Sequence, residues 1–569
     1  MRILVCLLCL LSTLQIHAQT AILSGYDIVS PVQGQNGMVV TGEPLAAKVG
    51  LDVLKNGGNA IDAAVAIGFA QAVTLPKAGN IGGGGFMVIH LAKTDETIAI
   101  DFRETAPAKA YRDLFLNKNG DVDSKLSRFS HLSAGVPGTV SGMALALKQY
   151  GSQSLSDILT PAIQLAEKGF PVSSRFAQDL SSRKDHFQKW PASAKIFLKS
   201  TDEVYQPGDL FKQEDLARTL KTIQKNGPDA FYKGDVANLI VREMQQHGGL
   251  ITKADLAAYK PVIRKPIKGT YQGHTLFSMP PPSSGGIHIV QILNILENFN
   301  LKQTGPNSAA TLHHMAEAMK YAYADRSKFL GDPDFVDIPQ KELTSKAYAK
   351  SLSQKINAQK ATPSSDIGPG NPTDYESNQT THYSVIDKHG NAVAVTYTIN
   401  FSFGSGIVVD GAGFLLNNEM DDFSSKPGVP NAYGLIGGEA NAIEPNKRML
   451  SSMSPTLVLK NGKPILITGS PGGSRIITTT LQIILNVIDH GMNIQEAVNA
   501  PRMHHQWLPD ELRVEEGLSS DTIRLLKKMG HTLSMKPTMG AAESIFIDPN
   551  MGIYYGAADP RREGLAIGY

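Results

Sequence analysis

Thr380, Thr398 and Asn400 are spaced so that a hairpin would gather their hydroxyls and amide into one place. The stretch that carries them, Gln379–Asn400, reads Q-TTHYSVID-KHG-NAVAVTYTIN. It alternates with period two on both sides of Lys388-His389-Gly390, with the glycine at a left-handed turn position. If Asp387 faces Asn391, then Val385 faces Val393 and Tyr383 faces Val395, an apolar stripe on one face. On the other face Thr380 lies opposite Thr398, at the ~4.5–5.5 Å spacing of directly paired side chains. Asn400 projects on that same face, one pleat beyond. A threonine hydroxyl needs a base before it can act as a nucleophile. Cleavage of the Gln379–Thr380 bond would supply one, an α-amine of pKa ~7.7–8 on the nucleophile's own residue.

The residues ahead of the hairpin have a different character. Residues 357–379 are rich in Pro, Gly, Ser and Asn, with almost no aliphatic side chains, and read as a mobile loop. A flexible tail entering a strand headed by threonine suits self-cleavage. Taken alone, the stretch reads first as a linker followed by an edge hairpin with surface threonines.

Other elements must position this hairpin. Residues 44–74 read as two helices separated by Gly57-Gly58, with Asn59 as cap of a small-residue, buried second helix. Glycines 82–85 lead into a strand, not the helix a phosphate loop requires, so they mark a close approach of backbones. In TIAIDFRETAP, Arg103 stands just beyond a strand. Locally it reads as a solvated or ion-paired residue, with a bidentate clamp on a carboxylate as the alternative. Residues 137–330 are mainly helical in pattern and include PPPSSGG at 280–286, a turn before a helix. His313, His314 and Glu317 carry metal-ligating groups, but no further ligand has matching spacing and a packing or polar role is expected. The same holds for His504-His505.

Beyond the hairpin, GFLLNNEMDDF places Glu419, Asp421 and Asp422 just past an apolar strand. Residues 425–448 form a long loop with Tyr433 near its middle, one reading of which is a lid. Ser451-Ser452 precede a strand. Gly472-Gly473 lie between a strand and an apolar helix, where backbone N–H groups can form an oxyanion hole.

Composition sets outer bounds. With 42% hydrophobic residues and 53 glycines in 569, the chain can bury a substantial core, and its net charge of +2 provides no field for nucleic acid. Met1–Ala18 has the charge, apolar run and small-residue end of a signal peptide. The only cysteines, Cys6 and Cys9, lie within it, which leaves the exported protein without a disulfide or a thiolate nucleophile. No later stretch is long and apolar enough to span a membrane. One integrated fold is expected.

The ordered series GNIGGGGF (79–86), DFRETAP (101–107), PPPSSGG (280–286), ADRSKFLGDPDF (324–335), TTHYSVID (380–387), MLSSMSPT (449–456) and GSPGGSRI (469–476) resembles γ-glutamyltranspeptidase, of the N-terminal-nucleophile hydrolase superfamily. The resemblance covers essentially the whole mature length. It implies an α+β fold, a four-layer αββα sandwich built jointly by two subunits of one precursor. These would be a large subunit of residues 19–379 and a small catalytic subunit of residues 380–569, forming a heterodimer. It further implies Thr380 as nucleophile with Thr398 as its partner, and Gly472 and Gly473 as the oxyanion hole. Arg103, Ser451 and Ser452 would hold the donor's α-carboxylate, while Asn400, Glu419 and Asp422 would hold its α-amino group. Tyr433 matches the aromatic residue of the lid. The implied reaction moves a γ-glutamyl group from glutathione, glutamine or a related amide to water or to an amino acid or peptide amine. It requires no metal or organic cofactor. The implied location is outside the cytoplasm, periplasmic in a Gram-negative host. The rivals are a related glutaryl or cephalosporin-type acylase and a noncatalytic exported binding protein on the same scaffold.

Overall fold

The computed structural model describes residues 30–200, 202–367 and 380–569. Met1–Ala18, with Cys6 and Cys9, and Gln379 lie outside the described residues.

The hairpin adopts the register its alternation dictates. Thr381–Asp387 pairs antiparallel with Ala392–Thr398, with Val385 opposite Val393, Tyr383 opposite Val395 and Thr381 opposite Tyr397. One step further along the same register, Thr380 faces Thr398. The hairpin is central, however, and not at an edge. Its sheet runs Leu565–Gly568, Gly37–Thr41, Thr381–Asp387, Ala392–Thr398, Gly84–Leu91, Glu96–Asp101, Val262–Arg264, each strand antiparallel to the next. A second seven-stranded sheet runs Val32–Gly34, Tyr554–Ala557, Ser544–Ile547, Lys463–Thr468, Thr456–Lys460, His274–Ser278, Ile267–Tyr271. Residues on both sides of position 380 contribute strands to both sheets, so neither part could close its sheets alone.

Three apolar clusters separate four layers. The odd-numbered hairpin residues Tyr383, Val385, Val393 and Val395 pack with Val39, Met87 and Ile89 against the helices Pro44–Lys55 and Ala60–Thr74. On the other face, Met38, Val40, Phe86, Val88, Ile386 and Ala394 meet Leu457, Leu459, Ile467 and Ile545 of the second sheet. That sheet's far side, with Leu276, Val458 and Leu466, is covered by the helices Gly285–Leu296, Ala309–Phe329 and Arg475–Ile488. The result is the αββα sandwich.

Local sequence explains the inner elements. Asn59 accepts from the backbone N–H groups of Ile61 and Asp62, and Asp62 accepts from Asn59 N at 2.8 Å, a reciprocal cap that starts the second helix. Every residue of that helix is buried. Tyr383 and Tyr397 donate their hydroxyls to Ala64 O and Gly68 O, both at 2.9 Å, so the hairpin's large rings lie in the core with their polar ends satisfied. The glycine run permits close approach. A Cβ at Gly83 would stand 2.1 Å from Thr398 O, and one at Gly85 2.4 Å from Tyr397 Cβ.

Three expectations change. Residues 357–367 are fastened, not loose. Ala361 N donates to Met529 O, Ser364 N to the Asp510 carboxylate, and Trp507 Nε1 to Ser364 O. Polar composition promised no apolar contact, but backbone hydrogen bonding to neighbouring elements does not need one. Glu419–Asp422 is a single 3-10 turn preceded only by an isolated Val408–Leu415 bridge, not a strand. Asn417 there donates to Gly82 O and Gly135 O, so side-chain amides hold the backbone in place of a ladder. Finally, His313 and Glu317 do have a neighbour from afar: His531 Nε2 lies 2.8 Å from His313 Nδ1. The group's polar atoms are engaged by Asn357 O and the Lys320 ammonium, in keeping with a polar role.

Candidate active site

Because hairpin residues alternate faces, the even-numbered Thr380, His382, Thr396 and Thr398 point into the space between the sheets. His382 Nδ1 lies 2.8 Å from Thr396 Oγ1, and burial pushes its pKa down to about 3, so this imidazole is neutral. The two threonines at the open end, both 4% exposed, line a small polar cavity. Thr398 Oγ1 accepts from Asn400 N at 2.8 Å, and Arg562 Nη1 donates to Thr380 O at 2.8 Å. Asn400 has a φ of 73°, a left-handed conformation that ends the strand. Its amide donates to Asn418 O at 2.9 Å, and its Oδ1 accepts from the Tyr433 hydroxyl.

Of the residues assigned roles, Arg103, Glu419, Asp422, Tyr433, Ser451, Ser452 and Gly473 line the same cavity as Thr380, Thr398 and Asn400. Gly472 stands one residue behind the lining, with φ 134°; Gly473 has φ 57°. Both precede the helix Arg475–Ile488, whose N-terminal dipole favours negative charge. Among the described residues neither glycine N–H donates to a backbone carbonyl.

Arg103 and the acidic residues form one network where the sequence reading separated two poles. Arg103 Nη1 donates to Glu419 Oε2 at 2.6 Å, Nη2 to Asp422 Oδ2 at 2.5 Å, and Nε to Met449 O at 3.3 Å. Burial opposes the Arg103 charge, but Glu419, Asp422 and Glu104 outweigh it and hold the group above its usual range. Burial raises Glu419 and Asp422, which Arg103 partly counteracts. Glu104 lies behind, 3.6 Å from Arg103; burial lifts it to about 8. Glu419 Oε1 is buried and accepts no hydrogen bond among the described residues.

The sequence reading missed Arg326, Asn431, Leu435, Leu450, Met453 and Ile476, which complete the lining. Only Arg326 carries charge. It sits in ADRSKF, a motif that was visible, but its neighbours in space are distant in sequence.

Two sheets packed between helical layers, with a threonine heading a central strand, define the N-terminal-nucleophile hydrolase class. Within that class the pattern described as Gamma-glutamyltranspeptidase matches residues 46–569. The chain belongs to that family and is an enzyme of the γ-glutamyltransferase type. It is 58% identical over 544 residues to the Glutathione hydrolase proenzyme of Escherichia coli (strain K12), covering 95% of this chain and 93% of that protein. The Acylase ACY 1 proenzyme of Pseudomonas sp. (strain SE83) is 37% identical over 546 residues, 94% of each. The crystal structure of cephalosporin acylase from Bacillus halodurans superposes with a TM-score of 0.86 at 29% identity, covering 97% of this chain and 99% of that one. The acylases share the scaffold at lower identity, which favours the transpeptidase reading over the acylase one.

Proposed function

We propose that the chain is an exported precursor that cleaves itself between Gln379 and Thr380 and then transfers or hydrolyses γ-glutamyl groups, glutathione and glutamine being the natural donors. The large and small pieces stay together as a heterodimer, because each supplies strands to both sheets. The observation that carries this reading is the convergence of Thr380, a neighbouring hydroxyl, a guanidinium and two carboxylates on one cavity.

The donor's head group is a zwitterion, so its recognition needs positive and negative groups side by side. Arg103, Ser451 and Ser452 receive the α-carboxylate; Asn400, Glu419 and Asp422 receive the ammonium, with the unsatisfied Glu419 Oε1 as one acceptor. Thr380 Oγ1 attacks the γ-carbonyl carbon as its proton passes to the α-amine of the same residue. The carbonyl oxygen becomes an oxyanion facing the Gly472 and Gly473 N–H groups. Collapse breaks the C–N bond, the amine departs with that proton, and a γ-glutamyl ester remains on Thr380. Water or an acceptor amine attacks the ester and restores the hydroxyl. Tyr433, bonded to Asn400, acts as the lid over the donor.

Intact mass and N-terminal sequencing test the reading. The active preparation should contain a fragment beginning Thr-Thr-His-Tyr, and Thr380→Ala should remain uncut. An uncut active enzyme, or a Thr380→Ala chain that still splits at this bond without protease, refutes it. An acylase would accept a glutaryl amide as readily as the γ-glutamyl amide; the buried carboxylates Glu419 and Asp422 argue that this enzyme will not.

A further inference from the structure

Two sequence motifs, PPPSSGG and ADRSKF, have no part in the chemistry above, yet they meet directly behind the cavity. The turn at 280–286 braces the segment that carries the serine pair. Ser451 N donates to Pro282 O at 2.8 Å, Ser284 N and Oγ both donate to Ser451 O, and Ser283 Oγ donates to Met453 O at 2.7 Å. Onto this brace the last turn of the helix Ala309–Phe329 projects Arg326. Its Nε donates to Ser284 Oγ at 3.1 Å and its Nη2 to Ser452 Oγ at 3.4 Å, and the side chain lines the same cavity as Thr380.

The charges of the two arginines are met differently. Arg103 is tied to two carboxylates within 2.6 Å. Arg326 is also buried, 5% exposed against 0% for Arg103, but its hydrogen-bond partners are neutral hydroxyls, and among the described residues it forms no ion pair. A cation held out of water without a carboxylate in direct contact is costly, and at the wall of a polar cavity it marks where an anion is to arrive. Burial accordingly presses its pKa down to about 10, with Tyr323 and Asp422 acting in the opposite sense. Ser452 accepts from Arg326, so its single hydroxyl proton is left to donate forward to that anion.

We propose that Arg326 is a second guanidinium of the α-carboxylate subsite, binding the donor carboxylate directly and through the Ser452 hydroxyl, and so setting preference for donors that carry this group. This rests on the γ-glutamyl reading above. Arg103, bound to the acids, orients the zwitterion; Arg326 supplies a positive charge that no direct ion pair neutralises.

The test compares γ-glutamyl-p-nitroanilide with 4-aminobutyryl-p-nitroanilide, which keeps the amine and reacting amide but lacks the α-carboxylate. In processed Arg326→Met enzyme the KM for the γ-glutamyl donor should rise roughly 10- to 100-fold, the span for one charge-assisted hydrogen bond. The change in kcat should be smaller, and kcat/KM for the 4-aminobutyryl donor should move by less than about 3-fold. Arg326→Lys should recover part of the loss, as a point charge without the fork. Should Arg326→Met fail to fold or process, Arg326→Lys and Ser452→Ala must still show the donor-selective rise. Equal losses on both donors, or no loss on either, overturn the inference and leave Arg326 a structural brace. Wild-type enzyme inactive on the γ-glutamyl donor would instead overturn the functional reading itself, and this inference with it.

Discussion

Arg103→Lys separates substrate recognition from self-cleavage. A neutral substitution would leave Glu419 and Asp422 as uncompensated buried charges, at about 3–5 kcal/mol in stability, and would confuse misfolding with lost binding. Lysine keeps the charge. It cannot reproduce the fork that gives Nη1 to Glu419 at 2.6 Å and Nη2 to Asp422 at 2.5 Å while Nε reaches Met449 O. At least one of these charged hydrogen bonds is lost, and with it the planar N–H array presented to the donor carboxylate. One such bond is worth about 1.5–3 kcal/mol, so kcat/KM for a γ-glutamyl anilide should fall roughly 10- to 150-fold. Self-cleavage involves the peptide at Thr380 and no free α-carboxylate, so denaturing gels should show two fragments in wild-type proportion. The assay is initial-rate kinetics on processed protein, with active sites counted by the burst of acyl-enzyme. Near-normal donor kinetics in fully processed Arg103→Lys enzyme would remove Arg103 from the donor site.

Tyr433→Phe deletes the hydroxyl bonded to Asn400 but keeps the ring against Phe401. Donor KM should rise about 2- to 10-fold, the worth of one neutral hydrogen bond, and the hydrolysis-to-transfer ratio with a dipeptide acceptor should shift while processing is spared. Unchanged KM and ratio would make the 425–448 segment a plain connection. Glu104→Gln should flatten the pH dependence of Tm. The folded carboxyl, raised by burial to about 8, keeps a proton that the unfolded chain sheds near its ordinary pKa of ~4.3. Its contribution is therefore full below that unfolded value and is lost as pH rises towards 8. The fall in Tm between pH 5 and 8.5 should be smaller in the variant; equal falls would show that Glu104 is ionised throughout.

What could be read from the chain alone was set by short-range geometry. Side chains in a strand alternate with period two, so fixing one pair around Gly390 fixed all the others as far as Thr381 opposite Tyr397, and by one further step Thr380 opposite Thr398. The same locality made the Asn59 cap, the turn before Gly285–Leu296 and the strand–glycine–helix passage at 472–473 legible. Tertiary structure decided what depends on which surfaces come together and exclude water. It set the hairpin in the middle of a sheet, where the threonine face looks onto a second sheet and not onto solvent. It tied Arg103 to carboxylates 316 and 319 residues away, placed Arg326 against Ser452 across 126 residues, and fastened residues 357–367 to segments beyond position 500. The strength of a charge pair follows from burial and distance, and neither is a property of nearest neighbours in sequence. Motif residues could therefore be named individually, while the joining of Arg103 to the acids, and the presence of a second guanidinium, required the folded chain.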